Sequence, residues 1–396
     1  MISVEEATAR IAGALGPTGT ETIPIGEAAG RVLVAEASAR CNQPPAPVSA
    51  MDGYALHAAD VASVPARLHV IGSSPAGHPF AGTVDSGKAV RIFTGAVVPD
   101  GADAIVIQEN TESDGAQVVV KTSAQAGQHI RPKGQDFRIG DTLAVAGRRL
   151  SPRDVSLLAA GDIASVTVRR KPVVVLAATG DELSRPGEPR KPGGIVASSG
   201  YALAPMIESW GGISRDLGIL PDTEDAIGAI ASSAKDADII VTLGGASVGD
   251  HDLIQKALGP KGFALDFWKI AVRPGKPLIF GRLGTKPLLG LPGNPVSSFV
   301  CAVLFLRPAI AALLGAATES SLLSAKLITP LKANDSRQDY LRARTRLRDG
   351  ELWVEAFTVQ DSSMLRSLAQ ADALIVRPPH AGAAQAGERV EVLPLP

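Results

Sequence analysis

Ten residues, LGGASVGDHD (243–252), hold the densest chemistry in the chain: glycines 244, 245 and 249, a serine and two aspartates. Gly244, Gly245 and Gly249 let backbone N–H groups approach a ligand closely, Ser247 offers a hydroxyl, and Asp250 and Asp252 offer carboxylates. The segment follows ADIIV (237–241), a run that reads as a buried strand, and leads into a helix near residue 251. Glycine backbone ahead of a helix N-terminus suits an anion. The aspartates would repel that anion unless a cation stood between them, and phosphate with Mg2+ removes the conflict because magnesium takes carboxylate and phosphate oxygens together. A plain turn with aspartates capping the next helix fits the same residues. Phosphate cradle, metal site and turn therefore all stay open on this segment alone. Neither GxGxxG in a first strand–helix unit nor the GxxxxGK loop is present, which excludes the two standard nucleotide loops.

Other stretches offer compatible groups. TGDEL (179–183) carries Glu182 and LPD (220–222) carries Asp222. DFWKIAVRPGKPLIFG (266–281) sets Lys269, Arg273 and Lys276 around a Pro-Gly turn, which suits a tetrahedral oxyanion and equally a solvated hairpin tip. LPGNPVSS (291–298) reads as a helix start after Pro292: Asn294 can cap it, Pro295 fits its first turn and Ser297 exposes a hydroxyl at its positive end. SAMDGYA (49–55), RIFTGAVVP (91–99) and IRPKGQD (130–136) put Asp52, Thr94, Arg131 and Asp136 in Gly or Pro loops, each a common turn by itself.

The elements that must position these loops follow from the apolar periodicity. From residue 171 strand-like runs alternate with helix patterns near 199–210, 223–234 and 251–258, which predicts a parallel, doubly wound α/β sheet. In such sheets ligands bind beyond the carboxyl ends of the strands, where TGDEL, LPD and the glycine loop all lie. Residues 56–150 show short strands (ARLHVIG, AVRIFTG, ADAIVIQE, AQVVVKT, DTLAVAG) between tight turns, a small barrel or sandwich. SPRDVSLLAAGD (151–162) is a capped helix, and beyond about 320 the helices give way to strands of a last β unit.

Composition narrows the function classes. At 396 residues and 45% hydrophobic content the chain builds two to four domains, and its 39 Lys plus Arg against 40 Asp plus Glu leave no basic groove for nucleic acid or an anionic membrane. Cys41 and Cys301 are far apart, which argues against a disulfide framework and fits a reducing compartment, the cytoplasm by default. The start MISVEEATARIAGALG is an amphipathic helix with a Ser3–Glu6 capping box, not a signal peptide. SSFVCAVLFLRPAIAALLGAA (297–317) is interrupted by Arg307 and Pro308, so a buried helix is expected rather than a membrane span. The six histidines have no ligand spacing, and any metal is expected to be a hard, oxygen-ligated cation.

Taken in order, SAMDGYA, RIFTGA, ATGDEL, LGGASVGDHD, RPGKP and LPGNPVSSF resemble the molybdopterin molybdenumtransferases of the MoeA and gephyrin type, over essentially the whole chain. The resemblance implies a multi-domain α/β plus β fold. Residues 1–50 with 146–170 would form an elongated N-terminal and linker domain, 51–145 a small β domain, 171–320 a doubly wound molybdopterin-binding α/β domain, and 321–396 a C-terminal β-barrel domain. It implies a homodimer with its active site between the α/β domain of one subunit and the N-terminal loops of the other. The implied reaction is Mg2+-dependent insertion of molybdate into molybdopterin adenylate with release of AMP, forming the molybdenum cofactor. A molybdopterin adenylyltransferase or the chaperone of a recipient molybdoenzyme is the implied partner.

Carried over residue by residue, the family's catalytic positions fall on Asp52, Thr94, Asp136, Glu182, Asp222, Asp252, Lys269 and Arg273. Substrate contacts are expected at Gly244, Gly245, Ser247, Gly249, Lys276, Pro292, Asn294, Pro295, Ser297, Arg342 and Ser362, and on the reading of the residues themselves Asp252, with Glu182 or Asp250, is expected to hold Mg2+ against the pyrophosphate. The chain departs from the family at Leu243, where a serine is common, at Arg273 for a frequent lysine, and at Val196, Ala197 and Ser199 in a Tyr-Asp-Ser/Thr-Asn run. An adenylyltransferase-like enzyme and a molybdopterin-binding scaffold are the alternative functions.

Overall fold

Residues 173–179, VVVLAAT, are apolar on both faces, as a strand covered from both sides must be. In the computed structural model, which describes residues 1–244, 250–316 and 322–396, this strand lies inside a six-stranded sheet. The order is Ile213–Leu220, Val173–Thr179, Ile239–Leu243, Lys286–Leu291, Ile279–Leu283, Phe263–Phe267. One face packs Val174, Leu176, Val241 and Leu289 against the helix Ser199–Ser209 and the long helix that begins at Pro295. The other packs Val175, Ala177, Ile240 and Leu288 against Ile227, Ile230, Ile254 and Leu258. Each fully buried aliphatic side chain contributes about 1.5–3 kcal/mol. The first helix, Val4–Gly13, buries Val4, Ala7 and Ile11 in the first of these cores. Ser3 accepts the Glu6 N–H at its start, while the Glu6 carboxylate turns to Arg10.

The sheet is doubly wound but not wholly parallel. Ile279–Leu283 runs antiparallel to both neighbours, because Leu283 and Lys286 are paired across a two-residue turn with Gly284 at φ +59°, too short for a crossover helix. The pattern over 223–234 resolves into two short helices, Glu224–Gly228 and Ile230–Ser233. The apolar run after Asn294 is helical over Pro295–Leu313, long and apolar enough to cross a membrane, yet 72% of its most apolar window is buried in this core. Pro308 is accommodated by a π-helical turn at Ala302–Leu306, which widens the winding where a proline ring would press on the carbonyl four residues back.

In the N-terminal half a second six-stranded sheet has the order Ala104–Ile107, Gly53–Leu56, Lys88–Ile92, Ala66–Ser74, Gln117–Val120, Thr111–Ser113. The chain enters and leaves it along two-stranded ribbons, Val48–Ser49 with Ile130–Arg131 and Ala37–Ser38 with Thr142–Ala144. The DTLAVAG strand thus belongs to a ribbon, not to the sheet. Near the C-terminus, Gln338–Arg348 pairs with both Glu351–Ala356 and Ala373–Arg377, closing a five-strand barrel around Ala325, Leu327, Ala343, Val354, Ile375 and Val392. Asp349 and Gly350, both at positive φ, make the hairpin turn. Val272–Arg273 of the α/β unit adds to this sheet in parallel with Gln338–Asp339.

The helix Pro152–Ala160 starts with a complete capping box: Ser151 Oγ accepts the Asp154 N–H at 3.3 Å, and Asp154 accepts from the Ser151 N–H at 2.8 Å. Burial works to raise the Asp154 carboxyl, but Arg148 and Ser151 outweigh it and hold it down at about 2. Asp154→Ala is expected to lower urea-unfolding stability by about 1–2 kcal/mol at pH 7. Because the folded value lies below the ordinary 3.8, this contribution is present above pH 3.8 and is lost as pH falls toward 2. A difference between wild type and variant that persisted undiminished at pH 2 would contradict the assignment.

Candidate active site

The first strand of the α/β sheet, Val173–Thr179, sits between the second, Ile213–Leu220, and the third, Ile239–Leu243, so the chain reverses direction of travel across the sheet there. Ligand crevices of open α/β sheets form at such a reversal. Glycine lets the loops meet. Gly244 has φ +94°, and a Cβ on it would stand 2.7 Å from the Thr179 carbonyl oxygen. A Cβ on Gly293 would stand 3.6 Å from Gly244 Cα, and the Gly244 N–H donates to Leu291 O at 3.2 Å. Gly180, at φ +151°, donates to Leu220 O at 3.3 Å. The Glu182 carboxylate folds back over Gly180, both oxygens 2.7 Å from where a Cβ would be. The Asp222 N–H donates to Asp181 Oδ1 at 3.3 Å, so Asp181, which the motif reading passed over, ties two loops together.

Gly245, Ser247 and Gly249 lie outside the described residues, as do the side chains of Asp250 and Asp252; the helix Asp250–Leu258 follows them. Among the described residues no group of three His, Cys, Asp or Glu side chains is placed to hold a metal.

Beyond Pro292, which is buried, Asn294 occupies the N-cap position and Pro295 the first turn, but the Asn294 side chain does not cap. Its Nδ2 donates to Ser362 Oγ of the barrel at 3.1 Å, and the Val296 N–H donates to Ser362 O at 3.2 Å. Ser297 is only 4% exposed, so it does not present its hydroxyl to solvent at the helix start. Ser298, fully buried, donates to Ser199 Oγ at 3.0 Å and joins the N-termini of two helices. Among the positions where the chain departs from the family, Ser199 thus has a structural bond, whereas Val196 is exposed.

Arg342 is not placed as a substrate contact. It is 1% exposed, and its guanidinium donates to Gln360 Oε1, Met364 O and Val359 O at 3.3, 3.1 and 3.5 Å. Gln360 returns two bonds, to Arg342 O and Phe357 O. This staple fixes the barrel segment that delivers Ser362 to Asn294. Nothing in local sequence marks the pairing, because its members lie on separate elements.

The basic loop lies at the seam with the barrel, with Lys276 exposed. Arg273 donates to Asp335 at 3.1 Å, to Asn334 at 3.2 Å and to the buried Asp339. Arg337 side-chain and backbone donors, with Arg273 behind them, hold the Asp335 carboxyl far below the usual carboxylate range. Lys269 Nζ stands 3.9 Å from the Trp268 ring centroid, a cation–π contact.

In the N-terminal sheet the register Gly53↔Ile92 brings Asp52 and Thr94 together. Asp52 Oδ1 accepts the Thr94 N–H at 2.7 Å and its hydroxyl at 2.8 Å. The backbone bond first, then the hydroxyl, holds Asp52 below its ordinary value and keeps it ionised. Arg91, missed in the motif reading, donates to Gly53 O at 2.8 Å and lies over the Tyr54 and Phe93 rings. Asp136 donates its N–H to Gln43 O, and Arg131 pairs with Val48 on the neighbouring ribbon.

Comparison with known proteins accords with this layout. Three family models match: the MoeA N-terminal region (domain I and II) over residues 2–161, a probable molybdopterin binding domain over 175–312, and the MoeA C-terminal region (domain IV) over 324–395. A molybdopterin molybdenumtransferase of Nostoc sp. is 35% identical over 388 residues, 95% of this chain and 89% of its own. One from Haemophilus influenzae is 34% identical over 400 residues, 100% of this chain and 98% of its own. The molybdopterin biosynthesis MoeA protein from Pyrococcus horikoshii superposes with a TM-score of 0.87 at 28% identity, covering 100% of both chains.

Gln360→Leu removes the acceptor that Arg342 needs and is expected to cost about 1–3 kcal/mol in urea unfolding. Hydrogen exchange should quicken over residues 357–364. Unchanged stability and exchange would show that the staple does not hold the Ser362 segment.

Proposed function

The chain belongs to the molybdopterin molybdenumtransferases, transferases of molybdenum cofactor biosynthesis, and from that membership we propose that it inserts molybdate into adenylated molybdopterin with release of AMP. What supports this most is the arrangement along one helix. The glycine-tight turns at Gly180, Gly244 and Gly293 meet at its N-terminus, and the basic loop rests on the same helix at Cys301, about 9 Å along the axis from Pro295. An elongated substrate with a pyrophosphate and an incoming oxyanion has matching donors at both ends.

A water or molybdate oxygen attacks phosphorus, the bridging P–O bond to AMP breaks and AMP leaves with that electron pair. The two dithiolene sulfurs form Mo–S bonds as Mo–O bonds of molybdate break, the displaced oxide leaving as water with the thiol protons and molybdenum staying Mo(VI). Positioning and electrostatics carry such a reaction, with no covalent enzyme nucleophile. Gly244, Gly245, Ser247 and Gly249 cradle the phosphates, and Lys269 and Lys276 neutralise the oxyanion. Arg273 contributes less field there because it shares its charge with Asp335 and Asp339. Asp252, Asp250 and Glu182 are the residues that would hold Mg2+: they are the hard oxygen donors this ion takes, and Glu182 already lies against the Gly180 turn. When bound, the ion supplies charge neutralisation for the pyrophosphate. Asp222 and Ser362 line the crevice, Asn294 and Pro295 set the helix start, and Arg342 acts through Ser362.

In the cytoplasmic homodimer of this reading, Asp52, Thr94 and Asp136 of one subunit face the crevice of the other. The bonds described above for these residues stay within their own half of the chain, which suits loops that complete a site elsewhere.

Protein incubated with molybdopterin adenylate, Mg2+ and molybdate is expected to release AMP only when molybdate is present and to leave molybdenum on the pterin. AMP release indifferent to molybdate, which is plain hydrolysis, or binding without AMP release, as a scaffold would show, would overturn the reading; pyrophosphate release from ATP in the presence of molybdopterin would mark an adenylyltransferase-like enzyme instead. Asp252→Asn is expected to slow AMP release by about 10²-fold, and chelation by EDTA to abolish it reversibly. A normal rate in the variant removes Asp252 from its role.

A further inference from the structure

Cys301 takes no part in the chemistry above, yet it is fully buried beneath the loop that carries the cations. Gly275, in the middle of RPGKP, is buried with φ +129°, and a Cβ on it would overlap Cys301 Sγ. The thiol donates to Gly275 O at 3.7 Å. Burial pushes the thiol's pKa up, so it stays a neutral S–H donor. Val272 lies beside it, its Cγ1 3.3 Å from where a Cβ on Gly275 would stand, and Leu278 and Tyr340 of the barrel belong to the same buried cluster.

We propose that Cys301 is a positioning residue for the basic loop: its sulfur is the seat on which Gly275 rests, and its size and S–H bond set where Lys276 presents its charge. The loop has little other freedom. On one side Val272–Arg273 is paired to the barrel strand, and on the other Ile279 opens a strand of the α/β sheet. Between these anchors the height of the turn above the helix is fixed by what lies under Gly275. Close-packed interiors transmit a change of one methylene to their neighbours. Lys276 is one residue from the seat, so a shift at the sulfur reaches it undiluted.

This inference rests on the reading of the basic loop as the oxyanion contact, and the test separates the two. Cys301→Ser keeps a donor of similar size and should leave the KM for molybdate within about twofold of wild type. Cys301→Leu lifts the turn, and should raise the molybdate KM by about tenfold with kcat and the KM for molybdopterin adenylate near wild type. Cys301→Ala lets the turn sink and should act in the same direction, which covers the case in which the leucine variant does not fold. Calorimetric titration with molybdate gives the same comparison without turnover. Lys276→Ala serves as the control: if it leaves the molybdate KM unchanged, the loop does not bind the oxyanion and the functional reading itself fails. If Lys276→Ala raises that KM while the leucine and alanine variants do not, Cys301 is no positioning residue. A drop in melting temperature with equal changes in both KM values would mark ordinary packing and overturn the proposal as well.

Discussion

The approach of Gly244 to Thr179 is the constraint on which the crevice depends. A Cβ at residue 244 would press on a carbonyl of the neighbouring strand, and the backbone there is already left-handed. Only a residue without a side chain lets the end of the third strand come this close to the end of the first. Gly293 then comes within van der Waals reach of Gly244, and Gly180 leaves room for the Glu182 carboxylate. Among the described residues the buried hydroxyls of Thr179 and Thr242 nearby find no hydrogen-bond partner.

The second dependence is the seam between the α/β unit and the barrel. It includes a short parallel strand pairing, the Arg273 bonds to Asp335, Asn334 and Asp339, the bonds of Asn294 and Val296 to Ser362, and barrel side chains such as Tyr340 and Leu374 packed into the α/β core. The Arg273 and Ser362 bonds both touch segments assigned to substrate. The barrel is therefore more than a terminal appendage, since Arg342 and Gln360 lock the segment that reaches back to the helix start. A buried guanidinium surrounded by carbonyl acceptors is an efficient way to hold such a segment, because its planar donors fix several acceptors at once.

What the chain reveals before folding is the chemistry that is local. The strand–helix alternation and the capped helix after Ser151 depend on neighbours within a few residues, and their signals are written there. The family resemblance supplied the barrel and the ordered site. What stayed hidden is long-range. Asn294 looks like a cap because asparagine often is one, but Ser362 competes for it from 68 residues away. Ser297 sits in a polar-looking helix start and is buried by elements no motif contains. Arg342 carries the charge of a substrate contact and spends it inside the barrel wall.

The π turn in the helix that starts at Pro295 has one more consequence. Such a turn is an α-helix that has absorbed one extra residue without unwinding its ends. The half before it faces the crevice and the basic loop, and the half after it packs Ala309, Ile310 and Leu313 into the core. Taking one residue out of Ala302–Leu306 would restore regular winding and rotate one half against the other by about 100°. The helix therefore works as a counted spacer with an angular offset: the number of residues in the turn, and not only their identity, sets how its two halves face.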